Sequence, residues 1–255
     1  MAIQLACPCA RAGRSVIDDV AAAVARYSWY HSIDLPGGVE TLGWFDHRGR
    51  ENNYLLPEDL RGMRCLDVGT MDGFWAFAME RRGAAEVVAI DVEDPEALDW
   101  PASKRHEVIK TLDETKRARF ELVAQALDSK VTRLDLSVLD LARAVSDVGQ
   151  FDLIFCGDLL LHLKDPITAL ESMHRACRGS TIVCNPIQHF RFNRRPLAEL
   201  DGIDQFRWWI PNQAGLERMA LAAGFARVES GKSFLLPLRS GATKHDRRGI
   251  IRAFV

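Results

Sequence analysis

Long apolar runs are missing from this 255-residue sequence, and with them any segment able to cross a bilayer as a helix, which takes about 20 apolar residues. The start, MAIQLACPCARAGRS, has only a short apolar stretch and no basic segment ahead of it, so it does not read as a secretory signal. A basic excess is missing too. Against 35 Asp and Glu stand 33 Lys and Arg, a formal net charge of −2. That disfavours a surface built around polyanionic RNA, although a local basic patch is compatible with a neutral total. Cysteine is sparse: of the six, Cys65, Cys156 and Cys184 fall in apolar strand-like stretches and read as small buried side chains. Cys7 and Cys9 form a C-P-C with no second pair downstream, which argues against a metal there. No His, Cys and Asp cluster has metal-ligand spacing, so no metal is expected, and a reducing cytoplasm is the expected compartment. Internal repeats and low-complexity segments are absent as well.

What is present is an alternation of strand and helix patterns. The stretch SVIDDVAAAVARYSW places Ile17, Val20, Ala21 and Val24 at helical spacing, with Ser15 as N-cap. The following 30-odd residues, rich in Gly, Pro, Asp and aromatics, predict an irregular or hairpin-like segment packed on a domain. From Arg64 onward come RCLDVG as a strand, FWAFAMERRGA as a helix stopped by Gly83, and EVVAIDV as a second strand. A helix over HEVIKTLDETKRARFELVAQALDS follows, then KVTRLDLSVLDL as the third strand and its turn, and FDLIFCGDLLLHL as the fourth. A helix from Pro166 to Cys177, the strand GSTIVCNPI, a helix near NQAGLERMALAAGF and a β-rich end complete the pattern. This predicts an α/β fold, a doubly wound Rossmann-like sheet, mostly parallel, with an antiparallel strand near the C-terminus. Residues 1–60 read as an N-terminal helical and aromatic cap, 61–255 as the main domain, and 185–211 as an insertion after the fifth strand. Ligands in such sheets bind beyond the carboxyl ends of the strands, which is where the candidate residues fall.

The first strand runs into DVGTMDGF. Gly69 permits a tight turn and Gly73 a close approach of helix to strand, but Met71 stands where a dinucleotide fingerprint has its middle glycine. That glycine makes room for a pyrophosphate, so its absence argues against NAD or FAD. Asp91, closing the second strand about 20 residues on, is placed to accept hydrogen bonds from ribose hydroxyls.

From Arg64 to about His162 the sequence resembles a class I S-adenosylmethionine-dependent methyltransferase. More narrowly, Trp29–His31, LDVGTMDGFWAF, VVAIDV, FDLIFCGDLLLHLKDP and WWIPNQAGLERMALAAGF resemble the family of tRNA wobble-uridine methyl- and carboxymethyltransferases and its uncharacterised relatives. The resemblance implies S-adenosyl-L-methionine as cofactor. It implies that Asp67, Gly69, Thr70 and Gly73 surround the amino-acid portion, with Asp72 nearby, and that Asp91 takes the ribose beside Val92. It further implies that Val138 and Leu139 border the adenine, and that Gly157 and Asp158 lie beside the methionine moiety. The carboxymethyl-transferring branch uses a lysine, a tryptophan and a tyrosine for its carboxylated cofactor. Here Arg48 and Arg50 are the only Lys or Arg residues between Ser32 and Glu58, and Leu161 stands at the tyrosine position, so the plain cofactor is inferred.

Three groups are candidates for acid–base or orienting work: His162 after the fourth strand, His31 in the aromatic run, and Asp158. Each also has a packing or loop-bonding reading. For the acceptor, the insertion combines Phe190, Phe192, Phe206, Trp208 and Trp209 with Arg191, Arg194, Arg195 and Arg207. Aromatics among cations suit a nucleobase and its phosphates, a flat or anionic small molecule, or a lid packed on the sheet. Trp29, Tyr30, Trp44 and Phe45 are the expected opposite wall. Methylation of a small-molecule acceptor is the first expectation, methylation of a modified wobble uridine in tRNA the second, and a non-catalytic S-adenosylmethionine-binding protein the third.

Overall fold

The computed structural model describes residues 16–111, 116–188, 195–240 and 243–255. Ser15, Cys7, Cys9, His189, Phe190, Arg191, Phe192 and Arg194, singled out above, lie outside the described residues. In chain order the elements are α1 (Val16–Val24), β1 (Arg64–Val68), α2 (Phe74–Arg81), β2 (Glu86–Asp91), α3 (Ala102–Thr111) and α4 (Lys116–Ala126). Then follow β3 (Thr132–Asp135), α5 (Leu141–Val148), β4 (Phe151–Gly157), α6 (Pro166–Ala176), β5 (Cys177–Ile187), β6 (Ala198–Leu200) and β7 (Trp209–Pro211). The last are α7 (Gln213–Ala222), β8 (Arg227–Ser230), β9 (Phe234–Pro237) and β10 (Thr243–Phe254).

Strands β1 to β5 are parallel in the order β3-β2-β1-β4-β5, and β10 continues the sheet antiparallel to β5, with β8 and β9 paired to β10. Each central strand is buried on both faces, and its residues alternate between two cores. Cys65, Leu153 and Phe155 pack with α2 and the N-terminal segment, while Leu66, Ile154 and Cys156 pack with α5, α6 and α7. Period-two alternation thus serves two apolar layers at once, each large side chain contributing roughly 1.5–3 kcal/mol. The helices start on local signals. Asp165 accepts from the Thr168 amide at 3.0 Å ahead of Pro166 on α6, and Asn212 accepts from the Gly215 amide at 2.7 Å on α7.

The segment from Trp29 to Leu60 contributes Trp29, Ile33, Leu35, Phe45, Tyr54 and Leu60 to the same core as α2. It is held in register by bridges His31–Phe45 and Asp34–Glu40. Three differences from the predicted elements stand out. Helix α5, which begins where the predicted third strand and turn end and was given no element in the sequence, is helical because Leu141, Val145 and Val148 fall on one face against the second core. Helix α3 begins at Ala102, earlier than predicted, with the Pro101 carbonyl accepting from the Lys104 and Arg105 amides. The insertion forms the β6–β7 ribbon. No helix among the described residues is long and apolar enough to cross a membrane.

Candidate active site

Strand order reverses between β1 and β4, and a crevice opens beyond their carboxyl ends. It has a main lobe of about 1050 Å³ and a side lobe of about 450 Å³, both partly open to solvent, that share Gly69, Asp91, Leu98, Asp99, Leu159 and Leu163.

The floor is the β1–α2 loop. Asp67 is buried, its Oδ2 accepting from Thr70 Oγ1 at 2.7 Å and from the Ala76 amide at 3.1 Å. Burial pushes its carboxyl up to about 6, against the hydrogen bond from Thr70 and the nearby His31. Gly69, Met71 and Gly73 have φ of 75°, 52° and 94°. Met71 therefore holds the left-handed conformation that a glycine would adopt freely, so the fingerprint's backbone path persists without its middle glycine. A Cβ on Gly73 would lie 2.3 Å from the Phe77 ring and 2.8 Å from the Phe120 ring. The close approaches at this glycine are thus made by Phe77 of α2 itself and by Phe120 of α4, and not by the strand as the sequence suggested.

Asp91 ends β2 with Oδ2 accepting from the Met71 amide and Oδ1 from the Val92 amide and Lys116 Nζ, each at 2.8 Å. Lys116 is itself buried and also donates to the Val92 carbonyl. Val92, Val138 and Leu139 line the side lobe. Gly157 and Asp158 line the main lobe at the end of β4. Asp158, at φ 50°, is held by the buried Arg248 of β10 through 2.8 and 2.9 Å contacts to its two oxygens.

The roof comes from the N-terminal segment: Tyr30, His31, Phe45, His47 and Tyr54. His31 Nδ1 pairs with Asp72 Oδ1, and Asp72 Oδ2 accepts the Tyr30 and His31 amides, both at 2.9 Å. Burial alone would raise the Asp72 carboxyl, but His31 and these hydrogen bonds outweigh it and hold it below the usual carboxylate value. His47 Nδ1 lies 2.9 Å from the Tyr54 hydroxyl. Burial, reinforced by neighbouring His31, drives the His47 imidazole well below its usual value, so it stays neutral. Burial also pushes the Tyr30 and Tyr54 phenols up. At the rim, His162 Nδ1 meets the Phe206 carbonyl at 2.5 Å and its ring packs at a tilt against Trp100, centroids 4.4 Å apart.

Of the residues expected at the site, the structure brings His31, His162, Tyr30, Asp67, Gly69, Asp91, Gly157 and Asp158 to the main lobe. Others sit elsewhere for physical reasons. Asp72 is turned from the crevice because both its oxygens clamp the Tyr30–His31 backbone and ring. Thr70 spends its hydroxyl on Asp67. Trp29 is in the core, its indole nitrogen donating to the Val24 carbonyl at 2.9 Å. Trp44 is 65% exposed on the outside. Trp208 and Trp209 donate their indole N–H groups to the carbonyls of Asp99 at 2.6 Å and Lys164 at 3.0 Å, bracing the rim instead of lining the crevice. Arg195 is exposed beside them. Arg48 is occupied at the surface by Asp34, Glu40 and Asp46.

Sequence reasoning missed His47, Tyr54, Lys116 and Arg248. His47 had a usable signal, because Phe45-Asp46-His47 repeats the aromatic-x-His pattern of Trp29-Tyr30-His31 on the paired strand. Lys116 and Arg248 had none, since each meets its carboxylate from a separate element, α4 and β10, far along the chain. No group of three His, Cys, Asp or Glu residues among those described is placed to hold a metal.

A family profile described as a methyltransferase domain matches residues 48–230, and the chain belongs to that family. The crevice is accordingly that of a methyltransferase domain. Among curated proteins, the chain is 28% identical over 171 residues to a tRNA U34 carboxymethyltransferase of Pseudomonas paraeruginosa, covering 66% of this chain and 46% of that protein. It is 30% identical over 181 residues to a ubiquinone biosynthesis O-methyltransferase of Psychrobacter arcticus, covering 67% and 62%. The chain thus spans about half to three-fifths of the length of these relatives. Its fold is similar to the N-terminal domain of EvdMO1 with SAH bound, with a TM-score of 0.61 at 14% identity over 95% of this chain and 98% of that one. A putative SAM-dependent methyltransferase from Streptococcus mutans has a TM-score of 0.53 at 12% identity, over 84% and 50%.

The donor set fits S-adenosylmethionine. Asp67 lines the main lobe and, among the described residues, only its Oδ2 accepts hydrogen bonds, which leaves the other oxygen for an ammonium; Asp91 suits hydroxyl donors; the side lobe is mostly apolar, suited to adenine.

Proposed function

We propose that this domain transfers the methyl group of S-adenosylmethionine to a small, flat acceptor seated in the main lobe. The observation that carries this reading is the roof. Tyr30, His31, Phe45, His47, Tyr54 and Trp75 make a mostly aromatic chamber with a few polar edges, opening beside Gly157 and Asp158. S-adenosylmethionine, when bound, supplies a methyl group on a positively charged sulfur, already activated for in-line displacement. The chain's own work is then alignment and exclusion of water. Asp67 and Asp91 hold the two polar ends of the cofactor, and Val138 and Leu139 flank its base. Arg248 fixes the Asp158 carboxylate in one orientation. The rim braced by Trp208 and Trp209 keeps the chamber narrow.

A second reading, methylation of a modified wobble uridine in tRNA, is favoured by the likeness to tRNA U34 carboxymethyltransferases, and a uracil ring is flat enough for the chamber. Against it, the insertion's described tryptophans are engaged within the protein, and the net charge is −2. The buried free thiols of Cys65, Cys156, Cys177 and Cys184 suit a reducing cytoplasm. Incubation with methyl-labelled S-adenosylmethionine and either bulk tRNA or a small-metabolite extract tests the choice. Label is expected in the small-molecule fraction; label in tRNA alone would transfer the conclusion to the second reading. Cofactor binding with no label in either would mark a non-catalytic binding protein.

A further inference from the structure

We propose that His31, oriented by Asp72, is the general base of the transfer, and that the acceptor therefore presents an ionisable hydroxyl, a phenol or an enol. This rests on the methyltransferase reading and adds the accepting atom to it. Amines and carbon nucleophiles that react as neutral species need no base at this position, whereas a phenol becomes a strong nucleophile on losing its proton.

Three groups of the crevice are chemically able to take a proton, and their surroundings differ. Asp158 is ion-paired with the buried Arg248, whose Nε lies 2.8 and 2.9 Å from its two oxygens, so this carboxylate is engaged in holding that cation. His162 sits at the partly exposed rim, outside the buried roof, with Nδ1 on the Phe206 carbonyl. His31 is buried, lines the main lobe, and has a fully buried carboxylate on Nδ1. An anionic acceptor at Nδ1 requires the N–H there, which leaves Nε2 as a bare lone pair. No described group hydrogen-bonds Nε2, and His31 lines the main lobe with Nδ1 taken by Asp72.

The surroundings make His31 the proton's destination. The titratable and charged groups within electrostatic reach are Asp72 ahead of α2, Asp67 on β1 and His47 on the paired segment. Of these, Asp72 is the one in direct contact with the ring, at Nδ1. Tyr30 and Tyr54 stay protonated and serve as donors. Asp72 also holds the His31 backbone amide, so one carboxylate fixes ring, tautomer and backbone together.

The step balances. The hydroxyl proton of the acceptor passes to Nε2, and the oxygen lone pair forms the bond to the methyl carbon. The carbon–sulfur pair stays on sulfur as a neutral thioether. The imidazolium, paired with Asp72, returns its proton to solvent after the methyl ether leaves.

The test uses 4-nitrophenol as a probe, because its phenolate is yellow and its ionisation is read directly without turnover. The full chain saturated with S-adenosylhomocysteine is titrated with 4-nitrophenol across pH 5–9. Binding of S-adenosylhomocysteine, followed by calorimetry, checks that each variant is folded. Wild type is expected to bind the probe and to raise its phenolate fraction about tenfold below neutrality, the effect of one charge-assisted hydrogen bond. That enrichment should vanish in His31→Asn, which keeps both backbone bonds to Asp72, and in Asp72→Asn, which reverses the tautomer. Equal enrichment in wild type and His31→Asn overturns the proposal, as does the absence of saturable probe binding. Failure of wild type to bind S-adenosylhomocysteine would instead sink the methyltransferase reading underneath.

Discussion

Replacing Asp67 by asparagine is expected to stabilise the ligand-free protein at neutral pH while weakening its hold on S-adenosylhomocysteine. The carboxyl is buried, with hydrogen bonds from only Thr70 and Ala76, and is pushed from 3.8 up to about 6. At about 1.4 kcal/mol per pH unit, keeping it ionised at neutral pH costs the fold at most about 3 kcal/mol. The sign follows from proton counting. Between pH 4 and 6 the folded chain holds a proton at this position that the unfolded chain has released, so stability falls as pH rises through that window and then levels off. An amide oxygen still serves Thr70 and Ala76 but carries no charge, so the variant lacks this loss. For a chain of this size the gain corresponds to a midpoint up to about 10 °C higher at pH 7. Thermal unfolding of both proteins from pH 4.5 to 8 reads it directly: the curves should nearly coincide at the acid end and separate by pH 7. A variant no more stable than wild type at pH 7, or a gap independent of pH, would refute the reasoning.

Three further outcomes follow from the same geometry. Gly73→Ala forces a Cβ into the Phe77 and Phe120 rings at a φ of 94°, and should cost about 2–5 kcal/mol in chemical denaturation. Lys116→Met leaves the buried Asp91 with only two backbone donors and should cost about 2–3 kcal/mol; saturating S-adenosylhomocysteine should close part of that gap in a thermal-shift assay. Trp208→Phe removes the 2.6 Å bond to the Asp99 carbonyl and should cost about 1 kcal/mol, with faster amide exchange at residues 98–100.

Legibility tracked the range of the interactions. The β1–α2–β2 unit with Gly69, Gly73 and Asp91 was readable because its turn, strand ends and spacing are local, and Met71 at φ 52° shows the backbone path surviving one sequence departure. Helix α5 was passed over although Leu141, Val145 and Val148 carry the period, because eight residues between two strands resemble a turn. Aromatic residues misled most. Trp29 serves the core, and Trp208 and Trp209 serve the rim, since a buried indole must find an acceptor wherever the chain offers one. The pairs that define the crevice, His31 with Asp72, Asp91 with Lys116 and Asp158 with Arg248, join residues 41, 25 and 90 positions apart. No local pattern announces a partner at such distances.

Titration calorimetry of the full chain with S-adenosylhomocysteine, in wild type and in Asp91→Asn, bears most directly on the central claim. One saturable site in wild type, with affinity at least about tenfold lower in the variant, is the predicted result, from the loss of a charged acceptor. No binding heat in wild type, or equal affinity in both proteins, would contradict it.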